Sequence, residues 1–177
     1  MDIRKIPTGK NPPCDINVLV EIPLRGDPVK YDVDNESGAL YVHRFLHTAM
    51  YCPGNFGFIP HTLGENGEAL EVLVLGKVAV AAGSVLRSRP IGVLTIEDEI
   101  GTDEKLLAVP HPKLHPFFDE VSSYDKLPPV MIRQIEHFFV HCKDAEAERL
   151  VQVKGWGGPD KVAATIEAAI KRAAKKK

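Results

Sequence analysis

The stretch VLRSRPIGVLTIEDEIGTDEKLLAVP, residues 85–110, decides how this chain folds. Residues 85–98 are dense in β-branched and aliphatic side chains, and they read either as a pair of strands or as one bent strand. KLLAVP (105–110) reads as a further strand. Between them lie Glu97, Asp98, Glu99, Asp103 and Glu104, spaced around Gly101. The reading is therefore strand, acidic turn, strand, with the carboxylates gathered at one end.

Working outward, the same short-strand grammar continues. LEVLVLGKVAV (70–80) is a strongly apolar strand region broken near Gly76. INVLVEIPL (16–24) is a strand carrying one charge, Glu21. VKYDV (29–33) alternates, and NESG (35–38) turns the chain into ALYVHRFL (39–46). Residues 48–67 are rich in proline and glycine and read as loops with short strands. Residues 1–13 form a polar arm with Pro12 and Pro13. The character changes after Pro110. Apolar residues at Val130, Ile132, Ile135, Phe138, Phe139 and Cys142 follow a helical period. Residues 150–153 read as a short strand. Residues 159–175 form an alanine-rich helix that starts on Pro159. The expected class is mainly β with flanking helices (α+β), a closed β-barrel with two C-terminal helices packed outside. No repeat or linker divides residues 1–177, so one domain is expected.

Composition narrows the function classes. The chain has 177 residues, 44% hydrophobic and 26% charged, with a formal net charge of -2. No basic surface is implied, which disfavours nucleic acid as the main partner. No apolar run reaches the roughly 18–20 residues that span a bilayer, and the N-terminus lacks the apolar core of a signal peptide. A cytoplasmic location without membrane association is expected. Cys14, Cys52 and Cys142 make neither a disulfide framework nor a zinc pattern.

The charged residues carry the chemistry. Glu65, Glu68 and Glu71 form one acidic group and residues 97–104 the other. Such groups are either solvated turns or a site for a hard cation, and oxygen-only ligands suit Mg²⁺ or Mn²⁺. Lys30, Arg44, Arg87, Arg89 and Lys105 lie inside or beside strand signals, and Lys143 ends a helix. Each alone reads as readily as a surface charge. Together, cations facing metal-binding carboxylates make a phosphate site. His137 and His141 share a helix face but have no evident third ligand for zinc. His61 reads as structural, and Trp156 as core or interface packing.

The running pattern has a further implication. VEIPLRGDPVKYDVDNESGALYVHRF (20–45), PGNFGFIPHTL (53–63), EVLVL (71–75), RPIGVLTIEDEIGTDEKLLAVP (89–110), QIEHFFVHCKD (134–144) and VKGWGG (153–158) occur in that order. The chain resembles the bacterial family I soluble inorganic pyrophosphatases from about residue 8 to 172. The resemblance implies an OB-like five-stranded closed barrel with flanking helices, usually assembled as a hexamer. It implies Mg²⁺-dependent hydrolysis of pyrophosphate to two phosphates. By the same resemblance Glu21, Glu71, Asp98 and Asp103 would hold metal, with Asn66 as a weaker ligand. Glu68 would orient or deprotonate the attacking water. Lys30, Arg44, Lys105 and Lys143 would bind phosphate oxygens, beside Cys142. Asp98, Lys30 and Arg44 count among the catalytic residues with Glu68. Glu99 would sit at the cavity rim.

The departures from the family pattern concentrate around that site. The signature loop D-G-D-P-x-D reads here Asn66-Gly67-Glu68-Ala69-Leu70-Glu71. Asn66 keeps a carbonyl oxygen but no charge, and Glu68 and Glu71 reach one methylene further. His43, Cys52, Phe56, Asp32 and Cys142 also differ from the residues usual at their places. Two readings stay open: an active pyrophosphatase, or an impaired paralogue serving as a binding or regulatory protein. A hydrolase shifted toward the larger Mn²⁺ is a third.

Overall fold

A computed structural model of the chain describes residues 2–34, 36–98, 101–145 and 150–175. Its strands are β1 (Ile16–Ile22), β2 (Val29–Val33), β3 (Leu40–Phe45), β4 (Asn55–Phe58), β5 (Glu71–Val74), β6 (Val85–Asp98), β7 (Gly101–Pro110) and β8 (Gln152–Gly157). Its helices are α1 (Pro129–His141) and α2 (Pro159–Lys175). The order β1-β4-β5-β7-β6 closes through a β1–β6 pairing, so five strands form a ring. β8 pairs with β6 outside that ring, and β2–β3 is a separate hairpin.

Residues 85–98 resolve as one bent strand. The first part of β6 pairs with β1 from Val85 to Ser88, and its later part pairs with β8 from Val93 to Glu97. The register slips between Pro90 and Gly92. Pro90 has no N–H to give the ladder, so the strand bends where its hydrogen bonding is interrupted. Gly92 is required here, because an added Cβ would stand 2.9 Å from Tyr124 Cβ.

Several expected boundaries move. The strand expected over 70–80 is only Glu71–Val74, and the chain leaves the sheet before Gly76. The strand expected at 150–153 lies at Gln152–Gly157. β7 begins at Gly101 rather than 105, so much of the acidic segment belongs to the ladder, with Asp98 opposite Gly101. Short 3₁₀ turns at Pro116–Phe118 and Tyr124–Lys126 were not anticipated. Asn35 of the expected NESG turn lies outside the described residues. No helix among them is long and apolar enough to cross a membrane.

Alternation along the strands builds two cores. Val72 and Val74 of β5 and Leu106 and Ala108 of β7 cluster with Val162, Ile166 and Ala169 of α2. Their neighbours Leu73, Leu107 and Val109 cluster with Ile135, Phe138 and Phe139 of α1. Successive strand residues point to opposite faces. One set of side chains thus meets α2 and the other meets α1, and both helices offer apolar residues three or four apart.

Candidate active site

Strand parity puts charges on the α1 face. Glu71 has the parity of Leu73, and Asp103 and Lys105 have the parity of Leu107. Cross-strand register agrees, with Asp103 opposite Ile96 and Lys105 opposite Leu94. Two bulges bring in the rest. Glu21 and Ile22 together oppose Phe56, so the bulge re-aims Glu21. On the hairpin, Lys30 pairs with Arg44, and His43 is the residue the register skips. Two cations directly opposed on one face repel, an arrangement that an anion between them relieves.

The charges interlock. Lys105 Nζ is ion-paired with Glu71 Oε2, and lies 2.6 Å from Asp103 Oδ2. Lys30 Nζ lies 3.6 Å from Glu71 Oε1 and 3.3 Å from Glu21 Oε2. Glu71 therefore holds one lysine on each oxygen. Burial alone would raise the Glu71 carboxyl, but Lys105, then Lys30 and Lys143, hold it below its ordinary range. Burial likewise opposes the Lys105 ammonium, and Glu71 and Asp103 outweigh it, so its pKa is raised. For Glu21 burial wins over Lys30, and the carboxyl is pushed up to about 7. Glu21 Oε2 is buried and, among the described residues, has no hydrogen-bond partner.

These residues line one cavity. Lys30, Arg44, Glu71, Asp98, Asp103, Lys105, Cys142 and Lys143 face it, and Phe56, Phe138 and Phe139 form apolar walls. Phe56 is expected around the site from the family pattern, whereas for Phe138 and Phe139 helical period identifies only a buried face. An adjoining hollow holds Glu21, Asp32, His43 and Glu68 with Lys30 and Glu71. A third holds Asn66 with Glu71, Asp103, Glu104 and Arg172. Glu71 borders all three.

Other expected participants point elsewhere. Glu97 pairs with Lys154, and Glu104 lies 3.3 Å from Lys161 and accepts a hydrogen bond from Thr165 at 3.1 Å. Arg87 forks onto Asp15, and Arg89 donates to the carbonyls of Val121 and Phe118. Glu65 lies 3.7 Å from Arg172. Asn66 Oδ1 accepts the backbone N–H of Glu68 at 3.0 Å, closing a local turn. Cys52, expected around the cavity, is buried in the α1-side core and borders a separate cleft beside α1. Burial pushes its thiol up to about 12, so it is a poor nucleophile. Glu99 lies outside the described residues.

The donors suit a hard cation. Glu71, Asp98 and Asp103 offer carboxylate oxygens, and the buried Glu21 Oε2, ion-paired with Lys30 but without a hydrogen bond, adds another acceptor. Among the described residues no three His, Cys, Asp or Glu side chains converge into a closed ligand cage. Mg²⁺ does not need one: it keeps several waters and is held by one or two carboxylates together with substrate phosphates.

Comparison with known proteins gives a consistent picture. A family model described as inorganic pyrophosphatase matches residues 18–174. An inorganic pyrophosphatase of Rhodospirillum rubrum is 59% identical over 157 residues, covering 89% of this chain and 88% of the relative. One from Caulobacter vibrioides is 52% identical over 172 residues, 97% of each chain. Among solved structures, an inorganic phosphatase of Anaplasma phagocytophilum superposes with a TM-score of 0.90 at 40% identity, covering 96% of this chain and 99% of its own. The Thermus thermophilus inorganic pyrophosphatase gives 0.89 at 32% identity, covering 98% and 99%.

Proposed function

The chain belongs to the inorganic pyrophosphatase family, and on that premise we propose that it hydrolyses inorganic pyrophosphate to two phosphates with Mg²⁺, or alternatively Mn²⁺. The observation that carries the reading is the set of four cations, Lys30, Arg44, Lys105 and Lys143, facing carboxylates in one cavity. A ligand rich in oxygen charge satisfies both groups at once, the cations directly and the carboxylates through a divalent ion.

The roles follow from reach and charge. Asp98 and Asp103, with Glu71 beside them, would hold the cation, and Glu21 and Asn66 would stand at the margins. When bound, the ion supplies positive charge to the phosphoryl oxygens and acidifies a water. Lys30 and Arg44, opposed across the hairpin, clamp one phosphate. Lys105 and Lys143 neutralise the other as it leaves. Glu68 borders the hollow with Glu21 and Lys30, from which it takes the proton of the attacking water. Cys142 lies beside Lys143 and contributes cavity wall. Bacterial members of the family suggest a cytoplasmic homohexamer, which sedimentation at micromolar concentration tests.

The test of the activity is phosphate release from pyrophosphate by the purified chain. Release that needs millimolar Mg²⁺ or Mn²⁺ is expected. A chain that binds metal and yet releases no phosphate overturns the reading. It would favour the impaired paralogue instead, for which the uncharged Asn66, with its oxygen committed to the loop turn, is the motive.

A further inference from the structure

Lys105 sits on a strand of the ring, whereas Lys143 hangs just beyond the end of α1. Both line the cavity, so the distance between them depends on how α1 is seated. Most of that seating is apolar: Ile135, Phe138 and Phe139 pack against the ring. The hydrophobic effect is itself non-directional, so a hydrogen bond between α1 and the sheet adds a constraint of a different kind to that packing.

Among the described residues, a side-chain hydrogen bond joins α1 to β8, beside the tilted contact of Phe139 with Phe56 of β4. The indole Nε1–H of Trp156 donates to Glu136 Oε1 at 2.7 Å. Trp156 is itself held firmly. Its ring stacks on Tyr124 at 4.9 Å between centroids and 14° between planes. On β8 it is the register partner of Leu94, and Leu94 is the register partner of Lys105 on β7. Trp156, Leu94 and Lys105 thus form one cross-strand row on one face, spanning two strand spacings, or about 10 Å. On the other arm, Lys143 follows Glu136 by seven residues. Cys142 between α1 and Lys143 keeps helical backbone angles, φ -65° and ψ -12°. Lys143 lies two residues past the last residue of α1 and seven after Glu136, roughly 10 Å further along the chain's path.

We propose that Trp156 and Glu136 are positioning residues that set Lys143 against Lys105 across the phosphate-binding cavity. The pair is where the two arms are joined, and the two ammonium groups are their far ends. The proposal rests on the reading of Lys143 as a phosphate ligand, but not on turnover.

The test uses inorganic phosphate as the probe and calorimetric affinity in the full-length chain as the readout, with pyrophosphate kinetics beside it. Trp156→Phe keeps the stacked ring and removes the N–H. It is expected to weaken phosphate binding about tenfold, the scale of a hydrogen bond to a charged group, and to raise KM more than it lowers kcat. Glu136→Ala should match it. Glu136→Gln, which keeps an acceptor oxygen, should restore most of the affinity. In a Lys143→Ala background, Trp156→Phe should cost less than about twofold, because the lysine it positions is gone. Unchanged affinity in Trp156→Phe overturns the proposal, as does a loss that is undiminished when Lys143 is absent. A native chain that binds phosphate but does not cleave pyrophosphate would overturn the hydrolase reading and leave this one standing.

Discussion

Asp15 with Arg87, and Glu21 with Lys30, Glu71, Lys105 and Asp103, are two ionic clusters at the ring of strands and the hairpin beside it. In the first, Arg87 forks onto both Asp15 oxygens and His111 stands 3.8 Å away. Both Asp15 carboxylate oxygens are hydrogen-bonded within the pair. In the second, Glu71 is divided between two lysines, Glu21 keeps a buried oxygen without a hydrogen bond, and Lys30 opposes Arg44. A cluster that satisfies itself stabilises the fold. One in which each lysine is shared between carboxylates, and two cations stand opposed across a cavity, is arranged for a ligand that is itself charged.

Mutations should separate the two clusters. The largest effect is expected from Lys105→Ala, which removes the ammonium shared by Glu71 and Asp103. It should lower kcat/KM for pyrophosphate about 10²–10³-fold, the range for losing one preorganised charge-stabilising donor. A thermal melt checks that the chain still folds cooperatively. Next is Glu71→Asp. The shorter side chain withdraws the carboxylate from both lysines by more than 1 Å, and kcat/KM should fall about 100-fold. A rise instead would mean that the longer carboxylate impairs the native site.

Asp15→Asn addresses the self-satisfied cluster. The Arg87 hydrogen bonds hold the Asp15 carboxyl below its ordinary range, against the opposing effect of burial, with further help from the charges of Arg87 and His111. A depressed folded pKa means that the unfolded chain takes up the proton first as pH falls. The pair's stabilisation is therefore complete above about pH 4, the unfolded carboxyl's range, and disappears as pH falls through the folded value. The variant should melt lower than the native chain at pH 7 and lose less on acidification, as melts between pH 7 and 2.5 would reveal. Its activity at neutral pH should persist. The smallest effect is expected from Glu104→Gln. Glu104 lies in the same acidic segment but faces Lys161 and Thr165, so kcat/KM should stay within about twofold.

That last contrast measures how far the site can be read from sequence. Glu97, Asp98, Asp103 and Glu104 are indistinguishable as an acidic run. Only the register of β6 on β7 sends Asp98 and Asp103 to the cavity and the other two to lysines elsewhere. Arg87 and Arg89 looked equivalent to Lys105, yet both serve the scaffold. Residues 70–80 show the same limit for the fold, because an apolar run does not reveal where its last ladder partner lies.

The sequence by itself determined the strand-rich class, both C-terminal helices and the family pattern, since alternation, helical period and helix-starting prolines are local properties of the chain. It also supplied the four cations and the carboxylates. Tertiary structure alone decided which of them meet. The bulges at Glu21 and His43, the bend at Pro90 and the seating of α1 on Trp156 each depend on partners far away in the chain. Convergence in space is set by register and packing between distant segments, and a one-residue slip in register would turn a site residue to the opposite face of the sheet.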